Sequence, residues 1–196
     1  LKTKNPKVPA NKVVSDLKGN IRKRESFGAT RYMGIPDSQV HFMNLPFYET
    51  GMISKNPISK NDIYPTTRLI ESIKPHQIYA AGDLADPHDT HRVCLEIIIE
   101  ALKKLKQKSF MKDCWVWLYR GAWHEWEIHE IEMAVPMSPD QVLRKRKAIF
   151  YHQTQKDGVM FQGNDHREFW VRAEERNRNT AKKYKLMGLA DYAAME

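Results

Sequence analysis

Cysteine is almost absent from this chain: Cys94 and Cys114 are the only two among 196 residues. Two thiols cannot build a disulfide framework. Each falls in an apolar run, one on an expected helix and one on an expected strand, where free cysteine behaves as a small buried hydrophobe. A reducing compartment, the cytoplasm, is the expectation. No apolar run approaches the roughly 20 residues that a membrane-spanning helix needs. The basic, proline-containing start, residues 1–12, has no apolar core of a signal peptide. Internal repeats and low-complexity tracts are missing too. The chain opens on Leu1 rather than Met, so a further part of the protein is expected upstream.

What is present is ordinary globular composition, 41% hydrophobic and 29% charged, long enough to bury a real core. The net charge of +8 favours anionic partners such as sugar phosphates or nucleic acid, and plain surface charge fits as well. The basic run Arg144-Lys145-Arg146-Lys147 reads as a solvated helix face. With no nucleic-acid module signature beside it, nucleic acid is not the expected partner.

Hydrophobic periodicity orders the chain after the lead-in of residues 1–12. Val13–Tyr32 has roughly helical spacing, stopped by Gly34 and Pro36. Val40–Leu45 reads as a short strand. Pro46–Asp62 reads as a long irregular segment. Tyr64-Pro65-Thr66-Thr67 reads as a helix opening, with the helix running to Ile73. Gln77–Ala81 is a strand, His88–Leu105 the clearest helix and Cys114–Tyr119 a strand apolar enough to be covered on both faces. Strand, helix and strand make a βαβ unit, expected with a right-handed crossover. Trp126–Val135 alternates imperfectly and reads as an edge strand. Ser138-Pro139-Asp140-Gln141 carries N-cap, first-turn proline and capping-box glutamine for a helix to about Gln153. Asp165–Met187 is the last helix, closed by Gly188.

The stretch Tyr79–Arg92 carries the densest chemistry. Three aspartates, Asp83, Asp86 and Asp89, stand with His88 and His91 between a strand end and a helix start. In an open α/β sheet ligands bind at that junction. His88 and His91, three apart at a helix start, project to the same side. One reading is a polar helix start capped by Asp86 or Asp89. The other is a metal or acid–base site, with an imidazole as zinc ligand and Asp83 or Asp86 orienting it. Among the aromatics, Trp115 and Trp117 read as strand-borne core. Trp123 and Trp126, beside a glycine, read as a ligand rim. His129 reads as a structural strand residue, and His41, His76 and His124 carry no site.

The segment His88-Asp89-Thr90-His91 resembles the second motif, His-Pro-Asp-His, of the PIG-L/LmbE-like zinc-dependent N-deacetylases. Arg22-Lys23-Arg24-Glu25, followed by Met33-Gly34-Ile35, resembles that family's Arg-x-x-Glu helix. Lys147–Gln155 resembles its late helix ending His-x-Ser-Gln, with Thr154 in the serine position. Gly121–Trp126 and Phe161–Glu174 further resemble the C-terminal domain of bacterial proteins in which such a domain follows a glucosamine-6-phosphate deaminase-like (isomerase-like) domain. The resemblance implies a Rossmann-like three-layer α/β/α fold with a mostly parallel sheet, lacking its first strand-helix-strand, over residues 13–196 as a single domain. It implies zinc-assisted amide hydrolysis on an N-acetylglucosamine-type sugar or sugar phosphate. His91 corresponds to a metal ligand and His88 to the residue that stabilises the oxyanion. Arg22 corresponds to a substrate-site arginine; Arg92, Arg120 and Trp123 are further candidates for holding the sugar phosphate. The family's first motif, His-Pro-Asp-Asp, does not occur. The expectation is therefore that this stretch alone holds zinc poorly. The alternative is a non-catalytic accessory or oligomerisation domain of a glucosamine-6-phosphate deaminase in amino-sugar metabolism. An upstream deaminase-like domain is the implied partner, a homo-oligomer is a further expectation, and no membrane partner is expected.

Overall fold

The computed structural model describes residues 11–48, 55–82, 89–120, 126–156 and 167–196. Among the described residues it is a mixed helix–strand structure with five α-helices, one small parallel sheet and a two-residue antiparallel ladder. No helix among the described residues is long and apolar enough to cross a membrane. The chain divides into two compact units, Leu1–Ser15 with Phe42–Trp123 and Asp16–His41 with His124–Glu196.

In the first unit the expected βαβ segment is present. Strand β1 (Gln77–Ala81) and strand β2 (Trp115–Tyr119) pair in parallel, Gln77 opposite Trp115 and Ala81 opposite Tyr119. Between them runs helix α3 (Thr90–Leu105), and helix α2 (Lys60–Ile73) packs beside it. The i,i+4 line Val93, Ile97, Ala101 and Leu105 is buried, as helical spacing requires of a core-facing stripe. Its upper end meets Phe47, and its lower end meets Ile70 and Ile78. Ile97 and Phe47 are among the most buried side chains, each contributing roughly 1.5–3 kcal/mol.

Three expectations change in this unit, the first for a segment of which it holds Phe42–Leu45. Val40–Leu45 is not a strand: it has no strand partner among the described residues, and Asn44 sits at φ 47°, which interrupts an extended run. Helix α2 starts at Lys60, four residues before the expected opening. Ser59 is its N-cap and Asp62 the reciprocal residue of a capping box, so Pro65 lies inside the helix. Asp62 is fully buried and also accepts the Phe47 backbone N–H at 2.8 Å, tying the loop before α2 to the helix start. Finally, β2 is not covered on both faces. Trp115 is 66% exposed and Tyr119 51%, while Trp117 is half-buried and stacks on Trp115 with centroids 6.2 Å apart. A two-stranded sheet has too few neighbours to bury both sides of a parallel strand.

The second unit is built on helices. Helix α1 (Lys12–Tyr32), of which this unit holds the part from Asp16, ends at Gly34, whose φ of 88° suits a residue without Cβ. Helix α4 (Pro139–Phe150) starts as expected, with Ser138 as N-cap and Gln141 completing the capping box. Helix α5 (Phe169–Leu186) ends before Gly188 at φ 84°. Strands β3 (Pro136–Met137) and β4 (Ala194–Met195) pair antiparallel, with Ala194 and Met195 buried. Asn177 on α5 holds them: it donates to the Met195 carbonyl at 3.1 Å and accepts from Lys145 at 2.9 Å. The expected edge strand over Trp126–Val135 is absent. Ile128–Glu130 is a short 3-10 turn closed by a Glu127/Glu130 capping box, and His129 is exposed on it. The alternation in that sequence is real, yet the local carboxylate–backbone bonds favour a turn.

Candidate functional site

In the first unit the chemistry gathers at the carboxyl ends of β1 and β2. The ladder is extended by Gly82, whose N–H donates to the Tyr119 carbonyl at 2.7 Å. Arg120, directly after β2, reaches back to the Gly82 carbonyl at 3.4 Å. Asp89 then leads into α3 at φ 57°, a left-handed conformation that aspartate tolerates better than most residues. His91 lies in the first turn of α3 and is half-buried. Arg92 beside it donates to Asp89 at 3.0 Å and to Glu96 at 2.5 Å. The hydrogen bond to Asp89, then that to Glu96, and the two negative charges raise the pKa of its guanidinium. Arg92 is therefore charge-matched within its own helix, and an anion binding there competes with two carboxylates.

Asp83, Asp86, His88 and Trp123 lie outside the described residues. Among the described residues no three His, Cys, Asp or Glu side chains gather closely enough to hold a metal ion. The zinc that the sequence resemblance implies thus meets one described candidate ligand, His91. Cys94 and Cys114 are both partly buried, and burial pushes the Cys114 thiol pKa up, away from the reactive thiolate.

The second unit brings together two segments far apart in sequence. Glu25 on α1 accepts the Thr154 backbone N–H at 2.8 Å and the Thr154 hydroxyl at 2.7 Å. Thr154 sits in the turns that follow α4, where the His152 carbonyl accepts from both Gln155 and Lys156. The helix segment Arg22–Glu25 and the segment His152–Gln155 are thus clamped to each other. Arg22 is exposed one turn before Glu25, on the same side of the helix. Gly28, one turn further on, permits this approach: a Cβ there would stand 2.7 Å from Cδ1 of Tyr151. Tyr151 also packs on Tyr32, centroids 5.4 Å apart. Arg144 closes the end of α1 by donating to the Met33 carbonyl at 3.0 Å.

His91 and Arg92 lie at a helix start behind a strand, and Arg22 on a helix, as the sequence pattern implies for their secondary structure. The Glu25–Thr154 clamp and the Arg120–Gly82 contact have no counterpart in that pattern. Residues 129 apart carry no spacing signal; only the similarity of both segments to motifs of one family hinted that they belong together.

No protein-family model matches the chain. It is 54% identical over 182 residues to a protein of Bacteroides thetaiotaomicron (strain VPI-5482) that bears the provisional name glucosamine-6-phosphate deaminase-like protein. The match covers 92% of this chain and 28% of that relative, so the chain spans little more than a quarter of the relative's length.

Proposed function

We propose that this chain is a non-catalytic accessory domain of a glucosamine-6-phosphate deaminase-like polypeptide, serving amino-sugar metabolism in the cytoplasm. The observation that carries this reading is the 54% identity to a relative of that name, over 92% of the chain but 28% of the relative. A deaminase-like activity would then reside in polypeptide outside the matched residues. The scaffold is the α/β type that the βαβ segment represents, which we assign to the Rossmann-like three-layer class.

A second reading, a zinc-dependent N-deacetylase, is favoured by one observation: the Arg22–Glu25 and His152–Gln155 segments are joined through Glu25 and Thr154. That reading assigns His91 to the metal and His88 to the oxyanion. Asp83 and Asp86 orient the histidines, and Arg22, Arg92 and Trp123 face the sugar.

The full-length polypeptide separates the two readings. Ammonium release from glucosamine 6-phosphate and acetate release from N-acetylglucosamine 6-phosphate are measured on one preparation. The accessory reading expects the first and none of the second. Acetate release that disappears in His88→Ala and His91→Ala would establish the deacetylase instead.

A further inference from the structure

In the second unit β4 is held the way a bound peptide is held. Its backbone pairs with β3, Pro136 opposite Met195 and Met137 opposite Ala194. The ladder runs one residue further: the Val135 N–H donates to the Glu196 carbonyl at 2.7 Å, and the Glu196 N–H to the Val135 carbonyl at 3.1 Å. From α5 the buried Asn177 donates to the Met195 carbonyl. From α4 Lys145 bonds Asn177 and the Glu196 carboxylate together. Ala194 and Met195 are buried under these contacts. The groove between β3, α4 and α5 thus reads an extended segment by its backbone, by a small and an apolar side chain, and by a carboxylate. A second copy's β4 makes the same contacts as the copy's own, so an exchange between copies loses none of them.

The hinge decides between the two arrangements. Helix α5 ends at Leu186, and Gly188 turns the chain at φ 84°. Around that turn Leu186 is 87% exposed, Met187 54%, Leu189 52% and Tyr192 42%. Large apolar side chains gathered this closely on one turn mark an interaction surface. An exposed ion pair, Lys185 to Asp191, ties the turn, and such pairs hold weakly. We propose that two copies of this chain exchange β4, each laying its Ala194–Glu196 segment into the other's groove. The two hinges then run past each other about the two-fold axis, and the apolar side chains of one cover those of the other. A copy that keeps its own β4 leaves them in water. The occupant is specified by the segment seated in the groove, which a second copy carries on the same hinge. The inference holds whichever reaction the polypeptide performs.

A carbodiimide joins an ion-paired lysine and glutamate as an amide with loss of water, so the Lys145–Glu196 pair reports whose β4 fills a groove. The unmodified full-length polypeptide is cross-linked and its chains are separated on a denaturing gel. Exchange predicts the Lys145–Glu196 peptide in the band of two joined chains and its absence from the single-chain band. That peptide in the single-chain band, or in neither band, would overturn the proposal. Lys145→Arg and Glu196→Gln are then coexpressed, since neither variant can form the link within itself. The link is expected between them at about a quarter of the parent's yield, because half of randomly paired dimers are mixed and one groove in each holds both reactive groups. A link in the parent with none in the coexpressed pair would contradict the exchange. Neither readout involves catalysis, so a failed accessory-domain reading and a failed exchange are told apart.

Discussion

Replacing Asp62 by alanine tests how the first unit is held together. Its carboxylate accepts the buried Phe47 N–H at 2.8 Å, the Ser59 N–H at 2.9 Å and the Ser59 hydroxyl at 2.7 Å. Asp62→Ala removes the reciprocal half of a capping box, worth about 1 kcal/mol. It also leaves the Phe47 N–H without its acceptor in a buried place, at a further ~1–3 kcal/mol. The sum is about 2–4 kcal/mol, a large share of the stability of a unit this size. Burial alone would raise the carboxyl pKa, but the bonds from the Ser59 hydroxyl and the backbone N–H groups of Phe47, Ser59 and Asp62 outweigh it and lower it. A carboxylate with a lowered folded-state value stabilises fully above the unfolded value of about 4, and that contribution fades as pH falls through the folded value. Asp62→Asn should therefore flatten the acid limb of the stability profile as well as lower the plateau. Urea unfolding followed by tryptophan fluorescence reads both, since Trp115 and Trp117 lie in the same unit. An alanine variant within 0.5 kcal/mol of the parent (a rough limit for surface changes) would refute the role given to this residue.

Two further substitutions probe the second unit. Gly28→Ala places a Cβ 2.7 Å from the Tyr151 ring and is expected to cost about 1–3 kcal/mol in urea unfolding, with Tyr151→Ser recovering part of the loss. Equal stability of parent and Gly28→Ala would mean that α1 does not approach the end of α4 this closely. Asn177→Ala leaves the Met195 carbonyl and Lys145 without their shared partner, at about 1–3 kcal/mol. Amide exchange of Ala194–Glu196 should speed up in that variant, and unchanged exchange would show that Asn177 does not anchor the carboxyl-terminal strand.

The parts of this fold legible in the sequence are those set by local pattern. The βαβ segment from Gln77 to Tyr119 was readable because two apolar runs flank a helix with a clean i,i+4 stripe. Helix α4 was readable because Ser138, Pro139 and Gln141 occupy three cap positions at once. Pro65 resembles a first-turn proline and draws the expected start of α2 too far along the chain, while Ser59 and Asp62 form the stronger signal five residues earlier. The strand expected at Val40–Leu45 had apolar residues but no pairing partner, and pairing is a property of the fold, not of the segment. The exposure of Trp115 was invisible for the same reason: an apolar strand predicts cover without saying what supplies it. At the candidate site, His91 and Arg92 followed from the strand-to-helix junction. The Glu25–Thr154 clamp did not, because only the folded chain brings those residues together.

The accessory-domain reading is tested most directly by one rate. In the full-length polypeptide, kcat/KM for ammonium release from glucosamine 6-phosphate is compared between the parent and the double variant His88→Ala/His91→Ala. An accessory domain predicts values within about twofold, since a factor of two is about 0.4 kcal/mol of transition-state stabilisation. A fall of tenfold or more, in a variant that unfolds at the parent's urea midpoint, would place these histidines in the reaction and contradict the account.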